Sequence, residues 1–358
     1  MTGPTRSLKR RRSSVIAALE PRSVLAVVQW IVARVLRTAL IASLLCALAA
    51  CHRHSIILVP ASAPGDPALS IAGDPESASG ATWTLVGTLD GKTVDLQGIL
   101  LKPRGRGPFP AVVLSHGAGS NAQSYGRELG SVMRTWGLVC IAVNYSHSRG
   151  VPHGAPGTGT LLEQGASPAN AFRAHAAVTV LARLRYVDVR RVAAHGHSMG
   201  AFVTTAFAAD YPNDVRVASH TSGGVLLDAI HREGMPFPSV AQARRIEAPY
   251  QWHHGLLDFV VPFLLDERFD SVLTAPHEGY LYRGRRHAEV ATDPEVLSRV
   301  RAWYTAHGMF SQPSARRHVS VSATQSLGLA RVRSRRGAGT PQHEAVSTAR
   351  RPISATSA

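Results

Sequence analysis

The sequence predicts an α/β fold with a mainly parallel sheet of about eight strands and helices on both faces. Three observations carry that expectation. Over residues 83–308, short apolar runs bounded by turn residues alternate with longer runs of helical period. Gly196-His197-Ser198-Met199-Gly200 stands between an apolar strand and an apolar helix, the setting that a strained nucleophile turn requires. Asp258 and then His287 follow, each just beyond a further short strand.

The elements read in order. Trp83–Leu89 and Thr93–Leu101 are strand-like and joined by Asp90-Gly91, a hairpin turn pair. Pro110–Ser115 and Leu138–Asn144 are buried strands. Pro168–Leu184 is helical: Ser167 caps it, Pro168 suits its first position, and Phe172, Ala176, Val180 and Leu184 form one stripe. Arg191–His195 is a strand leading into the serine turn. Val215–His220, Tyr250–His253 and Gly279–Tyr282 are further strands. A last helix starts at Thr292-Asp293-Pro294-Glu295 and stops at Gly308.

Composition narrows the function classes. At 45% apolar and 17% charged residues the chain is globular. Three cysteines exclude a disulfide scaffold. The net charge of +16 sits at the ends: residues 1–50 and 311–358 carry +7 each, leaving +2 between them. A near-neutral middle does not present a phosphate-tracking face, so no nucleic-acid partner is expected.

Residues 1–51 are read as a signal and lipobox, or a membrane-anchor segment, behind a basic lead-in. The uncharged run Thr38–Ala50 has signal-peptide length and is short of a bilayer span. It ends in Leu48-Ala49-Ala50-Cys51, which matches a bacterial lipobox, so Cys51 is the expected lipidation site. The expected location is the cell envelope, with the membrane a partner through that lipid. An ordinary cleaved signal, an uncleaved anchor and a cytosolic protein are the alternatives. Residues 52–80, rich in Ala, Ser, Pro and Gly, read as a tether, 81–310 as the catalytic domain, and 311–358 as a basic disordered tail.

A serine needs a base to take its proton and a group to orient that base. Ser198, His287 and Asp258 are the candidates. The backbone N–H of Met199 and an N–H from Ser115-His116-Gly117-Ala118-Gly119-Ser120, from Ala118 or alternatively Gly117, would receive the oxyanion. His116 either lines the acyl pocket or supports that loop. Arg149 either meets a substrate carboxylate or closes an ion pair in its own loop. His253, His254 and His277 are less well placed than His287. No ligand spacing marks a metal site, since His253 and His254 would point apart on a strand. No glycine loop matches a phosphate cradle.

On these residues residues 83–308 resemble the α/β-hydrolase superfamily and, within it, the dienelactone hydrolases. The matching stretches are SHGAGSN (115–121), NYSHSRG (144–150), VDVRRVAAHGHSMGA (187–201), HGLLDFVVP (254–262) and GRRHAE (284–289). Dienelactone hydrolases proper carry a cysteine nucleophile. Here Ser198 takes that place, and Cys140 lies inside a strand. The resemblance implies an α/β-hydrolase fold, the triad order Ser-Asp-His, no cofactor, and a small ester or lactone substrate cut by a serine esterase. Acyl transfer or peptide cleavage on the same triad, and a catalytically silent envelope binding module, are the rival readings. Only about 30 residues separate the strands near 220 and 250, too few for a large lid domain.

Overall fold

Along β5 (Phe109–Ser115), Ala111 and Val113 enter one hydrophobic layer, while Val112 and Leu114 enter the other. β6 (Val139–Val143) divides in the same way, with Val139, Ile141 and Val143 on one face and Cys140 and Ala142 on the opposite one. Successive side chains on a strand point to opposite faces, so a strand apolar at every position must be covered twice. The computed structural model, which describes residues 56–60, 63–150, 163–232 and 234–310, supplies both covers. One face packs α2 (Pro168–Ala182), α3 (Met199–Asp210), α4 (Val240–Arg244) and α5 (Leu264–Val272). The other packs α1 (Ala122–Met133) and α6 (Pro294–Ala306).

The remaining strands are β1 (Ile56–Val59), β2 (Ala68–Ala72), β3 (Ala81–Leu89), β4 (Lys92–Leu101), β7 (Val187–His197), β8 (Val217–Thr221), β9 (Tyr250–Gly255) and β10 (His277–Tyr282). They form one sheet in the order β1-β2-β3-β4-β6-β5-β7-β8-β9-β10. Pairing is antiparallel from β1 across to β6 and parallel from β6 to β10. The expected α/β architecture stands, and the expected hairpin closes on Asp90 and Gly91, both at positive φ.

Two expectations need correction. The sheet has ten strands rather than about eight, because residues 52–80 do not act only as a tether: they contribute β1 and β2. Leu69 and Ile71, two apart, pack on the layer that holds Trp83 and Leu85. The Arg183 guanidinium then holds the carbonyls of Val59, Pro60 and Pro67. Small and turn-forming residues around two short apolar pairs conceal this in the sequence. α1 also went unread, because its buried face includes Gly126 and Gly130 and so shows a thin apolar stripe. The readings of residues 1–51, Cys51 included, and of 311–358 lie outside the described residues. Among the described residues, no helix is long and apolar enough to cross a membrane.

Candidate active site

Adjacent parallel strands bring their C-terminal ends to one edge, where open α/β sheets hold their sites. Ser115 of β5 is in register with Gly196 of β7, so the loop after β5 and the serine turn leave the sheet side by side. Tyr282 of β10 is in register with Gly255 of β9. The loops bearing His287 and Asp258 are further tied by Leu256 N–H to the Tyr282 carbonyl and Leu257 N–H to the Arg285 carbonyl.

Ser198 sits between β7 and α3 with φ 57° and ψ −123°. A non-glycine residue there stores about 1–3 kcal/mol and persists only where its surroundings dictate it. Here the Ser198 N–H donates to the Thr221 carbonyl at the end of β8. The turn also demands a bare backbone at Gly200, where a Cβ would lie 1.9 Å from the Ser115 carbonyl oxygen. Gly200→Ala is therefore expected to destabilise by at least about 3 kcal/mol, read as loss of soluble protein or a lowered denaturation midpoint.

Three separated side chains meet at this turn. The Ser198 hydroxyl lies 2.8 Å from His287 Nε2, and His287 Nδ1 lies 2.7 Å from Asp258 Oδ2. Oδ1 of Asp258 accepts the N–H groups of Val260 and Val261, both at 2.9 Å. Burial works against its charge, but the bonds from His254, His287 and Val261 hold the Asp258 carboxyl well below the usual carboxylate range. Ser222, itself at positive φ, donates its hydroxyl to the His287 carbonyl at 3.4 Å and steadies the histidine loop. The His197 ring lies 4.8 Å from that of His287. Burial, with the neighbouring His287, pushes His197 down to about 3, so it adds no charge at the site.

The oxyanion side is also assembled. Met199 opens α3, so its N–H has no partner within the helix. A Cβ on Gly117 would lie 3.2 Å from the Ser198 Cβ, which places the 117–119 loop directly against the serine. His116 takes the supporting role. It is fully buried, its Nδ1–H donates to the Gly117 carbonyl at 3.0 Å, and its Nε2 accepts from the Ser148 hydroxyl at 2.8 Å. The Gly117 carbonyl is thereby turned into its own loop, leaving Ala118 exposed at the rim. Arg149 fastens the neighbouring loop through its backbone, to Ser120 and Asn121. Its side chain is exposed, and among the described residues it makes no ion pair.

His253 and His254 do point apart: the first meets Tyr282 and Gln251, the second Asp258 and Asp266. His277 bonds the Ala275 carbonyl and stands away from the serine. Cys140 is buried, and burial pushes its thiol up, so it is no rival nucleophile. Among the described residues no group of three His, Cys, Asp or Glu side chains is placed to hold a metal ion. Sequence reasoning set His254 aside as a rival to His287 and did not name Asp266. Their one sequence signal is spacing, since His254 precedes Asp258 by four residues and Asp266 follows in the helix beyond.

The chain belongs to the alpha/beta hydrolase family, whose sequence profile matches residues 112–348. Its fold is similar to that of the alpha/beta hydrolase GrgF from Penicillium sp. sh18, at 19% identity and a TM-score of 0.51, over 64% of this chain and 99% of that one. An acetyl xylan esterase from Paenibacillus sp. R4 matches at 18% identity and TM-score 0.49, over 69% and 87% of the two chains. A puromycin-hydrolyzing peptidase of Mycobacterium tuberculosis matches at 20% identity and TM-score 0.49, covering 68% of this chain. The chain spans 46% of that peptidase. These likenesses describe the fold alone. No curated protein matches the sequence.

Proposed function

We propose that this α/β hydrolase is a serine hydrolase of carboxylic esters or lactones. The observation that carries the reading is the unbroken run of short hydrogen bonds from Ser198 through His287 to Asp258, built on a strained turn. His287 Nε2 takes the hydroxyl proton as Ser198 Oγ attacks the carbonyl carbon. Asp258 keeps the other proton on Nδ1 and stabilises the imidazolium. The oxyanion faces the Met199 and Ala118 N–H groups. The imidazolium passes its proton to the departing alkoxide, and water, activated by the same ring, then cleaves the acyl-enzyme.

The resemblance of the motifs to those of dienelactone hydrolases favours an ester or lactone over an amide. So does the rim: Leu257, Phe259 and Val260 expose apolar side chains around Asp258, which suits an uncharged ester. Among the described residues, the short α4 is the one helix between β8 and β9, which leaves little chain there to cover the serine and suits small substrates.

The test is fluorophosphonate labelling together with p-nitrophenyl esters of rising chain length and matched aminoacyl p-nitroanilides. Labelling with ester turnover is expected. Anilide turnover as fast as ester turnover would overturn the ester reading, and an unlabelled protein would make it a silent binding module. We further propose that Cys51 is lipidated and anchors the enzyme at the bacterial envelope. Metabolic labelling with a lipid precursor is expected in the wild type and lost in Cys51→Ser, and a wild type without label removes the anchor.

A further inference from the structure

Behind the catalytic carboxylate lies a second, deeper set of charges. Asp258 Oδ2 is shared by two imidazoles: His287 Nδ1 at 2.7 Å and His254 Nε2 at 3.1 Å. His254 also places Nε2 2.9 Å from the Val261 carbonyl and Nδ1 2.6 Å from Asp266 Oδ2. Every partner of this ring is an acceptor. A neutral imidazole would aim one lone pair at an oxygen lone pair in a fully buried place. Both nitrogens must therefore carry protons, and His254 is an imidazolium.

Asp266, on α5, is fully buried and takes three donors. These are His254, His220 Nε2 at 2.7 Å and the Gly223 N–H at 3.1 Å. His220 is itself braced, with Nδ1 3.0 Å from the Tyr250 hydroxyl, which lies 3.2 Å from the Thr205 hydroxyl. Burial opposes the charge of Asp266, yet the two histidines hold its carboxyl well below the ordinary range. Burial likewise opposes the charge of His254, and its bonds to Asp258 and Asp266 carry it up to about 9.

We propose that His254, fixed as an imidazolium by Asp266, is a positioning residue that clamps Asp258 and weakens His287 as a base, extending activity to lower pH. The inference rests on the serine-hydrolase reading. A cation on the same carboxylate oxygen disfavours a second one. When His287 accepts the Ser198 proton, the cluster holds two carboxylates and two imidazoliums and is neutral. Without His254, Asp258 would lose the cation beside it and Asp266 would keep only His220 and the Gly223 N–H, so the added negative charge would hold the His287 proton more tightly. Of the other groups near these rings, His197 is neutral, Arg285 is spent on Asp293 at 2.6 Å, the Glu289 carboxylate takes the Arg286 backbone N–H at 2.8 Å, and His220 Nδ1 faces the Tyr250 hydroxyl.

The experiment measures the second-order rate of fluorophosphonate labelling against pH on the full chain, which reports the free enzyme's base. In His254→Gln the acidic limb is expected to move up by about one pH unit. The double variant His254→Gln/Asp266→Asn restores the net charge and should bring the limb back toward the wild-type position. A limb unmoved in His254→Gln, with labelling retained, overturns the proposal and leaves the serine reading intact, whereas an unlabelled wild type overturns that reading first. If the variants do not fold, histidine-selective 15N spectra decide. Among the described residues, His175 is the other histidine raised by carboxylates, so the spectra are taken on His175→Gln. A ring protonated at both nitrogens at pH 8.5 is expected, and its absence overturns the proposal.

Discussion

Replacing Ser198 with Ala should abolish fluorophosphonate labelling and lower kcat by a factor on the order of 10⁴–10⁶, with the fold intact. The hydroxyl is the one atom in line with His287 Nε2, and removing it leaves the imidazole with no proton to take. Residual rate would come from the oxyanion donors, which still orient a carbonyl for attack by water. The substitution adds no bulk and leaves the backbone bond from residue 198 to Thr221 in place. The denaturation midpoint is therefore expected to stay near wild type. Equal labelling of Ser198→Ala and wild type would remove Ser198 from the reaction.

Asp258→Asn should cost a factor on the order of 10⁴ in kcat, for a reason visible in the hydrogen bonds. Val260 and Val261 donate to Oδ1, so the amide oxygen of Asn must occupy that side. The NH2 group is then forced into the place of Oδ2, where it donates to His287 Nδ1. The imidazole proton shifts to Nε2 and points at the Ser198 hydroxyl, and a base that already carries a proton there cannot take another. The same NH2 group confronts the protonated Nε2 of His254, so a lowered denaturation midpoint should accompany the loss of turnover. Wild-type kcat in Asp258→Asn would assign the orienting role to another residue.

The linked protons also set a stability profile. The folded protein keeps the His254 proton up to about pH 9, whereas an unfolded chain releases it near pH 6.5. A raised pKa stabilises most at low pH, so this contribution is complete below about pH 6.5 and is lost as pH rises through about 9. Asp258 and Asp266 are depressed, so their contributions disappear as pH falls through the carboxylate range. Thermal denaturation should show an alkaline loss between pH 7 and 9 that is shallower in His254→Gln. Equal slopes would leave the His254 proton without a part in folding.

Ser198, Asp258 and His287 were legible because each has a local address: a glycine-flanked turn after a strand, and two loops beyond later strand ends. The parallel core was legible because runs such as PAVVLS and LVCIAV are apolar at every position, and only a strand covered on both faces permits that. β1 and β2 were hidden because Leu69 and Ile71 acquire a partner only when β3 lies beside them, and nothing in the local composition announces it. The role of His116 stayed open because its bonds reach forward to Gly117 and across to Tyr145 and Ser148 on another loop.

The sequence by itself determined the layer architecture, the elbow at Ser198 and the order of its partners, since these follow from side-chain period and backbone strain acting within a few residues. Only the tertiary structure decided that His254 sits between Asp258 and Asp266 as a buried cation. Its charge depends on which acceptors three separate elements bring to both ring nitrogens in the absence of water, and no stretch of chain contains all of them.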